Sequence, residues 1–365
     1  MTHLKAQLSN TKNLLCDTNL SNQPITSKYS QSLKNPHRPL EKNMKPFKWV
    51  VISSFVALAT SCGGGTPPPV ADTTPPTIVT TLPANNATGV VAATTIVITF
   101  SEPMNKLVTQ SAYQSASPRL TPPVVQFTWD ATGTVMTVTP NVALAVASGA
   151  NPDPAVTVAN TFSYQITNVA TDLAGNALAT ASSTFKTQRR ITQDLPLIAL
   201  LGDSVRADGA VGDCLGSAPC AGDSGSAANA QWKGFIGFDM TGVPAGIQSW
   251  EFANINMNQT SVRGAPYATL GGTLLLDHVN FPTLNAASFN AVSLRPIGTL
   301  STTATVENKT LPVLVAVQDD YANRVARGNR TQYRLAFPTV SDFDGVFDVA
   351  VFAGPNTLNV RYFLP

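Results

Sequence analysis

The sequence is poor in charged residues and in histidine. Asp, Glu, Lys and Arg make up 12% of the 365 residues, while glycine and proline are frequent. This composition suits short strands joined by turns and argues against long helices held by ion pairs. Of the three histidines only His278 follows Cys62, so a His-rich metal centre is excluded there. A chain of this length is expected to form two domains.

Clusters of basic residues are also missing. Eight of the 23 Lys and Arg residues precede Cys62, but only two of the 21 acidic residues do, so the net charge from Cys62 onward is near −4. After Cys62 no basic run exceeds Arg189-Arg190. A nucleic-acid partner requires a basic face that releases counterions from phosphates. Nucleic acid is therefore excluded as a partner.

The apolar run at residues 49–59 is too short to span a bilayer. It follows the basic segment 44–48 and precedes small residues, which is the arrangement of an export signal. Residues 58–62 resemble the lipobox of bacterial lipoproteins, although Leu58 lies one position further from the cysteine than is usual. The resemblance implies that the Cys62 thiol is acylated with diacylglycerol and anchors the protein to a membrane. A plain secretory or membrane-anchored signal is the alternative.

The segments around this signal complete the predicted N-terminal organisation. Residues 1–43 are interpreted as a non-native extension, 44–61 as the lipoprotein signal peptide and 62–72 as a flexible Gly/Pro spacer. No role is assigned to the cysteine and the two histidines of the extension, Cys16, His3 and His37. Gly64, where the lipoprotein sorting rule would have Asp for the inner membrane, favours the outer membrane.

Alternating apolar residues between 73 and 187 predict a β-sandwich. The inward-facing positions are expected to be Ile96, Ile98, Phe100, Val125, Phe127, Trp129, Phe162, Tyr164 and Ile166. A turn at residues 130–133 predicts a hairpin. Four segments also resemble, in family order, the bacterial Ig-like domain of S-layer and other surface proteins: 75–76, 83–90, 100–104 and 172–176. The resemblance implies a spacer or adhesive scaffold without catalysis. Asp172 and Asn176 are interpreted as turn residues, which requires no metal.

After a joint at residues 188–194, a second module is expected at 195–365. Its strands are predicted at 233–240, through Trp250, Phe252, Ile255 and Met257, at 333–337 and at 349–362. The three- and four-residue spacing of Leu314, Val317, Tyr321 and Val325 predicts one helix between Pro312 and Gly328. This order resembles the DNRLRE-type β-sandwich, which is similar to carbohydrate-binding modules. The predicted fold is all-β: an Ig-like sandwich, then a jelly-roll-like sandwich with one short helix and an insertion at 209–231.

Two groups of residues suggest covalent or metal chemistry. Cys214 and Cys220 are the cysteines that follow Cys62, and a local disulfide is expected in an oxidising compartment. A zinc pair is the alternative, although no histidine lies nearby. Asp342, Asp344 and Asp348 surround a glycine turn and suit Ca²⁺, but they do not have EF-hand spacing and such residues also simply make turns.

Two enzymatic functions are considered, and each depends on a few candidate residues. Ser204 ends an apolar segment, as does the nucleophile of GDSL-type esterases, but a serine nucleophile needs an oriented base and His278 lies mid-module. The chain also lacks the strand–helix alternation of that fold. A paired-carboxylate glycosidase is the other alternative, with members from Asp277, Asp239 and Glu251. We assign no catalytic residue.

The favoured interpretation is a non-enzymatic surface lipoprotein in which an Ig-like spacer presents a distal sandwich for adhesion or envelope interaction. Its expected partners are the membrane and a polysaccharide or surface protein, and its expected location is the outer membrane or cell surface, otherwise secretion. A polysaccharide-binding module is the alternative and a hydrolase is third. A sugar platform would draw on Trp232, Trp250, Tyr267, Phe281 and Tyr321, although aromatic residues of β-modules more often form the core.

Overall fold

The computed structural model describes residues 70–212, 214–225 and 229–365. The extension and signal predicted at 1–61 lie outside these residues, as does Cys62. The described residues form mostly strands, with three short α-helices. Within these ranges, no helix has the length and apolar character needed to cross a membrane.

The first module contains nine strands and one helix. The strands are β1 (Ile78–Leu82), β2 (Ala87–Val90), β3 (Ile96–Phe100), β4 (Tyr113–Gln114), β5 (Val125–Trp129), β6 (Val135–Pro140), β7 (Ala147–Gly149), β8 (Thr161–Ile166) and β9 (Ala181–Thr187), with α1 at Lys106–Ser111. One sheet has the order β1-β3-β6-β5 and the other β2-β9-β8-β4. The core between them contains Ile98, Met136, Tyr164 and Phe185, all nearly inaccessible. The β-sandwich and its β5–β6 hairpin are thereby confirmed.

The second module contains twelve strands and two helices. The strands are β10 (Arg189–Leu195), β11 (Asp203–Arg206), β12 (Cys220–Asp223), β13 (Gln231–Asp239), β14 (Ser249–Asn258), β15 (Ser261–Arg263), β16 (Leu274–Val279), β17 (Ser293–Ser301), β18 (Asn308–Pro312), β19 (Arg330–Ala336), β20 (Val349–Val351) and β21 (Thr357–Leu364). The helices are α2 (Pro266–Thr269) and α3 (Leu314–Ala322). One sheet has the order β18-β14-β21-β10-β7, and the other β15-β20-β12-β13-β19-β16-β17 with β11 on β13.

The main core of the second module lies between its two sheets. It contains Ile255 and Tyr362 from one sheet, Phe238 and Tyr333 from the other, and Val317 of α3. Smaller apolar clusters lie beside this core, one around Trp232 and the disulfide and one around Phe235 and Phe281. The stretch predicted as an insertion, residues 209–231, contributes strand β12, which is fully buried and pairs with both β13 and β20.

The predicted joint is itself a strand. β9 ends at Thr187 and β10 begins at Arg189. β10 pairs antiparallel with β21 along its whole length, and β7 of the first module pairs with it in parallel. One sheet of the second sandwich therefore includes a strand of the Ig-like sandwich, which no periodicity within 188–194 revealed.

One local prediction needs correction, and one predicted strand is present with an irregular register. The helix ends at Ala322, and Val325 is 88% exposed instead of continuing its apolar face. In β14 an extra residue between Trp250 and Phe252 shifts the register. A bulge of this kind turns the following side chains to the opposite face. Trp250 consequently packs on the core, whereas Phe252 lies under the Arg361 guanidinium at 4.6 Å.

Candidate functional site

The loop between β19 and β20 brings together the three predicted calcium ligands. One carboxylate oxygen from each of Asp342, Asp344 and Asp348 lies within 4.8 Å of the others. The loop is shaped locally, because the N–H of Asp344 donates to Asp342 Oδ1 at 3.2 Å and that of Val346 to Asp344 Oδ1 at 2.7 Å. Asp344 is exposed, whereas Asp348 is buried. The loop thus presents a set of oxygen atoms that extends from solvent into the protein.

Asp223 of β12 adds a fourth carboxylate at the base of the loop. Its N–H donates to the Asp348 carbonyl at 2.8 Å, and its Oδ1 accepts the Asp348 N–H at 3.3 Å. The Asp223 side chain is fully buried, and its second oxygen, Oδ2, has no hydrogen-bond partner among the described residues. No local pattern in the sequence indicates Asp223, because the β12–β20 pairing that places it there joins residues 125 positions apart.

Asp348 fits closely between strands. A Cβ on Gly264 would lie 1.8 Å from Asp348 Oδ1, and one on Gly222 would lie 1.8 Å from its carbonyl oxygen. Asp348 Oδ1 accepts the N–H of Ala265, and Thr269 donates to Oδ2 at 3.4 Å. Burial raises the pKa of Asp348, and the neighbouring carboxylates raise it further: those of Asp223, Asp342 and Asp344.

A second acidic group lies where the chain enters the Ig-like module. It consists of Asp72, Glu102 and Asp172, each with an oxygen within 4.8 Å of the others. The Asp172 carboxylate accepts the backbone N–H and the side-chain amide of Asn176, both at 2.8 Å. Burial alone would raise the pKa of Asp172, but these hydrogen bonds outweigh it and the pKa is lowered. The hydrogen bonds are those of a turn-forming Asp–Asn pair.

The disulfide predicted between Cys214 and Cys220 is present, and Ser204 belongs to its surroundings. The Ser204 hydroxyl donates to the Ala218 carbonyl at 2.9 Å and accepts the Cys220 N–H at 2.7 Å. The side chain is fully buried. The esterase alternative requires Ser204 at the end of an apolar strand. In the structure Ser204 follows a short 3₁₀ helix and lies within β11. Its hydroxyl therefore fastens the cysteine loop to the sheet.

His278 is distant from Ser204 and has another partner. In the ladder β11-β13-β19-β16, Ser204 lies three strands from the strand of His278, which corresponds to about 14 Å or more. His278 Nε2 lies 2.8 Å from Asp320 Oδ2 on α3, and both side chains are buried. Arg327 donates to both Asp319 and Asp320. These residues link sheet and helix, and the two candidates Ser204 and His278 do not form a catalytic pair.

The three candidate glycosidase carboxylates are also separated. Asp277 pairs with Arg334 at 2.7 Å, and Glu251 with Arg361 at 3.1 Å. Asp239 accepts the N–H and hydroxyl of Thr241, both at 2.8 Å. The Asp239 and Asp277 backbones are two strands and four residues apart, about 16 Å, and glycosidase carboxyl groups are about 5–10 Å apart. Glu251 lies on the other sheet.

None of the five candidate aromatic side chains is exposed. Trp232 and Phe281 are 1% and 3% accessible. Trp250, Tyr267 and Tyr321 are partly buried against the main core, where Trp250 meets Tyr321 edge to face with ring centroids 5.4 Å apart. These five rings therefore serve packing, as is usual for aromatic residues in β-modules.

Comparison with known proteins identifies the first module. Residues 72–187 match the family described as bacterial Ig-like domain, which confirms the resemblance there. Such a domain indicates a protein of the cell surface or envelope. No curated protein matches the sequence. The resemblance proposed for residues 195–365 stays a prediction.

Solved structures add only distant similarities. The N-terminal part of the bacterial S-layer protein SbsC is 12% identical, over 45% of this chain and 40% of that one. An L,D-transpeptidase from Mycobacterium smegmatis is 12% identical, over 62% and 75%. The S-layer protein rSbsC(31-844) is 11% identical, over 66% and 32%. The chain therefore spans well under half of either S-layer structure. All three TM-scores are 0.22, so these similarities support no inference about activity.

Proposed function

We propose that this chain is a non-enzymatic lipoprotein of the bacterial cell envelope, anchored at Cys62, whose Ig-like domain holds the second sandwich away from the membrane for adhesion or envelope interaction. The observation that carries the proposal is the continuous β-structure across the joint. β7, which comes from the residues of the Ig-like domain, completes a sheet of the second sandwich, so we expect the two modules to move as one body, which is what a spacer with a terminal binding module requires. A flexible linker would leave the distal module free to fold back.

Side-chain contacts reinforce the joint. The Arg189 guanidinium is buried and donates to three carbonyl oxygens: those of Pro365 at 2.7 Å, Pro152 at 2.6 Å and Thr157 at 3.3 Å. The Gln248 amide donates to the Gly89 carbonyl at 3.1 Å, again between modules. Hydrogen bonds from a charged donor contribute about 1.5–3 kcal/mol each, so the joint resists bending.

The entry and exit of the Ig-like domain lie at opposite ends. The Asn176 amide donates to the Asp72 carbonyl at 3.1 Å, which fixes the incoming chain at the turn that precedes β9. β9 then runs seven residues, about 23 Å, to Thr187 at the joint. The described chain therefore enters the Ig-like domain at the end opposite the joint with the second sandwich, as the proposed spacer needs.

The candidate catalytic groups make structural contacts or lie far apart, and this supports the proposal of a non-enzymatic role. Ser204 and His278 each have a buried structural partner, and the three candidate carboxylates lie apart from one another. A broad panel of ester and glycoside substrates is therefore expected to show no turnover. Turnover that is lost in Ser204→Ala, or in a variant of one carboxylate, would contradict a non-enzymatic role.

The anchoring is tested by mass spectrometry of the N-terminal peptide of protein extracted from membranes. We expect a diacylglycerol-modified Cys62 and no peptide from residues 1–61. Cys62→Ala should abolish acylation and release the protein from the membrane fraction. An unmodified N-terminus in the culture medium would overturn the lipoprotein and move the protein to the secreted class.

The presentation of the distal module is tested on intact cells. A membrane-impermeant maleimide should label a Val325→Cys variant in cells that express the full chain, because position 325 of the second module is 88% exposed. Cells with the Cys62→Ala variant should lose this label and also lose attachment to matrix or neighbouring cells. Labelling only after the outer membrane is permeabilised would place the protein inside the envelope and remove the adhesion role.

A further inference from the structure

Four carboxylates meet at the loop between β19 and β20 without a basic partner. None of the ion pairs in the described part of the chain involves them: Asp223, Asp342, Asp344 and Asp348. We infer that this loop binds a calcium ion through the carboxylates of Asp342, Asp344 and Asp348, and that the buried Asp223 completes the site from β12. The inference is independent of the proposed anchor and of adhesion.

The spacing of the oxygen atoms fits one ion. Calcium binds oxygen ligands at about 2.3–2.6 Å, so two ligands on opposite sides of the ion are about 4.6–5.2 Å apart. The three loop oxygens lie within 4.8 Å of one another. A single cation can therefore contact all three without a large movement of the loop.

The Asp223 side chain is an independent indication that a cation binds at this loop. Its side chain is fully buried, one oxygen accepts the Asp348 N–H, and the other has no hydrogen-bond partner among the described residues. A buried carboxylate without compensation is strongly unfavourable. Because Asp223 lies directly against the last ligand of the loop, a cation held there supplies the missing positive charge.

The donor set selects calcium over other common metals. The loop and Asp223 offer carboxylates, with no cysteine or histidine among them, which disfavours zinc. Magnesium demands near-ideal octahedral geometry and keeps several waters, while calcium accepts six to eight oxygens in irregular arrangements. A short loop with three carboxylates and a fourth beneath it suits the larger ion.

The test is a titration of calcium into the purified, metal-free full chain, monitored by calorimetry. Thermal unfolding is then measured at increasing calcium concentrations. We expect saturable binding and a melting temperature that rises with calcium concentration, because a ligand that binds only the folded state stabilises it. Asp344→Asn removes an exposed ligand without disturbing the core and should abolish the shift. Asp223→Asn should weaken binding about 10- to 100-fold, the range typical of supporting groups around a metal.

Glu102→Gln is the matched control, because it alters the other acidic cluster. Calcium binding that persists in Asp344→Asn but disappears in Glu102→Gln would overturn the assignment and place the ion at the Ig-like module. Absence of binding at millimolar calcium would overturn it as well. If Asp223→Asn does not fold, Asp342→Asn serves in its place, because that side chain lies on the loop and is only partly buried.

A spectroscopic readout locates the ion independently. Trp232 is the cross-strand neighbour of Gly222, beside Asp223, and packs with Phe347. Terbium, which takes the oxygen ligands of calcium, should therefore luminesce when tryptophan is excited. Calcium should displace it, and Asp344→Asn should remove the signal while Glu102→Gln keeps it. Terbium emission unaffected by Asp344→Asn would contradict the site.

Discussion

Ser204 illustrates how a single buried hydroxyl holds an irregular segment to the sheet. In Ser204→Ala the Ala218 carbonyl and the Cys220 N–H remain buried without their present partner. Leaving such groups unsatisfied costs about 1–3 kcal/mol. We expect the free energy of unfolding to fall by that amount in urea titrations. Ser293→Ala, an exposed serine of β17, should have almost no effect, and equal values for the two variants would contradict the structural role of Ser204.

Two neighbouring aspartates on α3 provide a sharper comparison. Both accept hydrogen bonds from Arg327, but the Asp320 side chain is 2% exposed and also contacts His278, whereas that of Asp319 is 39% exposed. Breaking a buried ion pair is expected to destabilise by about 3–5 kcal/mol, and an exposed pair contributes about 1 kcal/mol or less.

Asp320→Asn should therefore lower the unfolding free energy far more than Asp319→Asn, measured by chemical denaturation of both variants. Similar losses would show that Arg327, and not the buried contact with His278, dominates the network.

The sequence contained a signal for Asp320 but none for Asp223. Asp320 follows Val317 by three residues and Ala316 by four, which places it on the apolar face of the helix. Asp223 follows a glycine in a segment without clear periodicity, and its neighbour Asp348 is defined only by strand pairing. Local patterns indicate which face a residue occupies, but they do not indicate which distant residue faces it.

The β5–β6 hairpin is an element whose stability depends on one partly buried carboxylate, that of Asp130. Asp130 accepts the hydroxyl of Thr132 and the N–H of Val135, and these hydrogen bonds lower its pKa to about 2. Because the folded pKa lies below the ordinary value of 3.8, the carboxylate stabilises the fold above pH 3.8. That contribution declines as the pH falls towards 2 and is absent below it.

Asp130→Asn should therefore reduce stability at neutral pH, and the difference from wild type should vanish near pH 2. Unfolding curves at several pH values, with an NMR titration of the Asp130 carboxyl, check both points. A difference that stays constant from pH 7 to pH 2 would contradict the assignment of the hydrogen bonds to the ionised form.

Element boundaries show where periodicity fails. The spacing of apolar residues predicted α3 correctly as far as Tyr321 but extended it to Val325. The α-helix ends at Ala322 and the chain continues through turns to Gly328, where the Arg327 side chain donates to Asp319 and Asp320. The strand predicted through Trp250, Phe252, Ile255 and Met257 is β14, but the pattern did not indicate the extra residue that shifts its register before Phe252.

At the scale of the whole molecule, the main feature is the fusion of two sandwiches. The family resemblance located the Ig-like domain to within one residue of its matched start, yet it gave no indication that β7 would join the sheet of the next module. β7 and β10 lie about forty residues apart, and short parallel pairing has little periodic signature. Sequence patterns thus defined the modules but not the contact between them.

The fusion predicts that the modules unfold together. Wild-type protein should show one calorimetric transition, because β10 belongs to the sheet of the second module and carries β7 of the first. Arg189→Ala removes three hydrogen bonds that hold the joint and should split unfolding into two transitions. Arg190→Ala is the matched control, since among the described residues the Arg190 side chain makes one hydrogen bond, to Ser148 Oγ at 3.3 Å, and its loss should keep a single transition.

Two transitions in the wild-type protein would mean that the shared sheet does not couple the modules, and a rigid spacer would then need another cause. One transition in Arg189→Ala would instead show that the β7–β10 and β10–β21 pairing is sufficient for coupling. The guanidinium would then contribute only to local stability. Small-angle scattering of both variants separates these outcomes, because a hinge at residues 188–194 broadens the distribution of distances between the modules and a lower melting temperature alone does not.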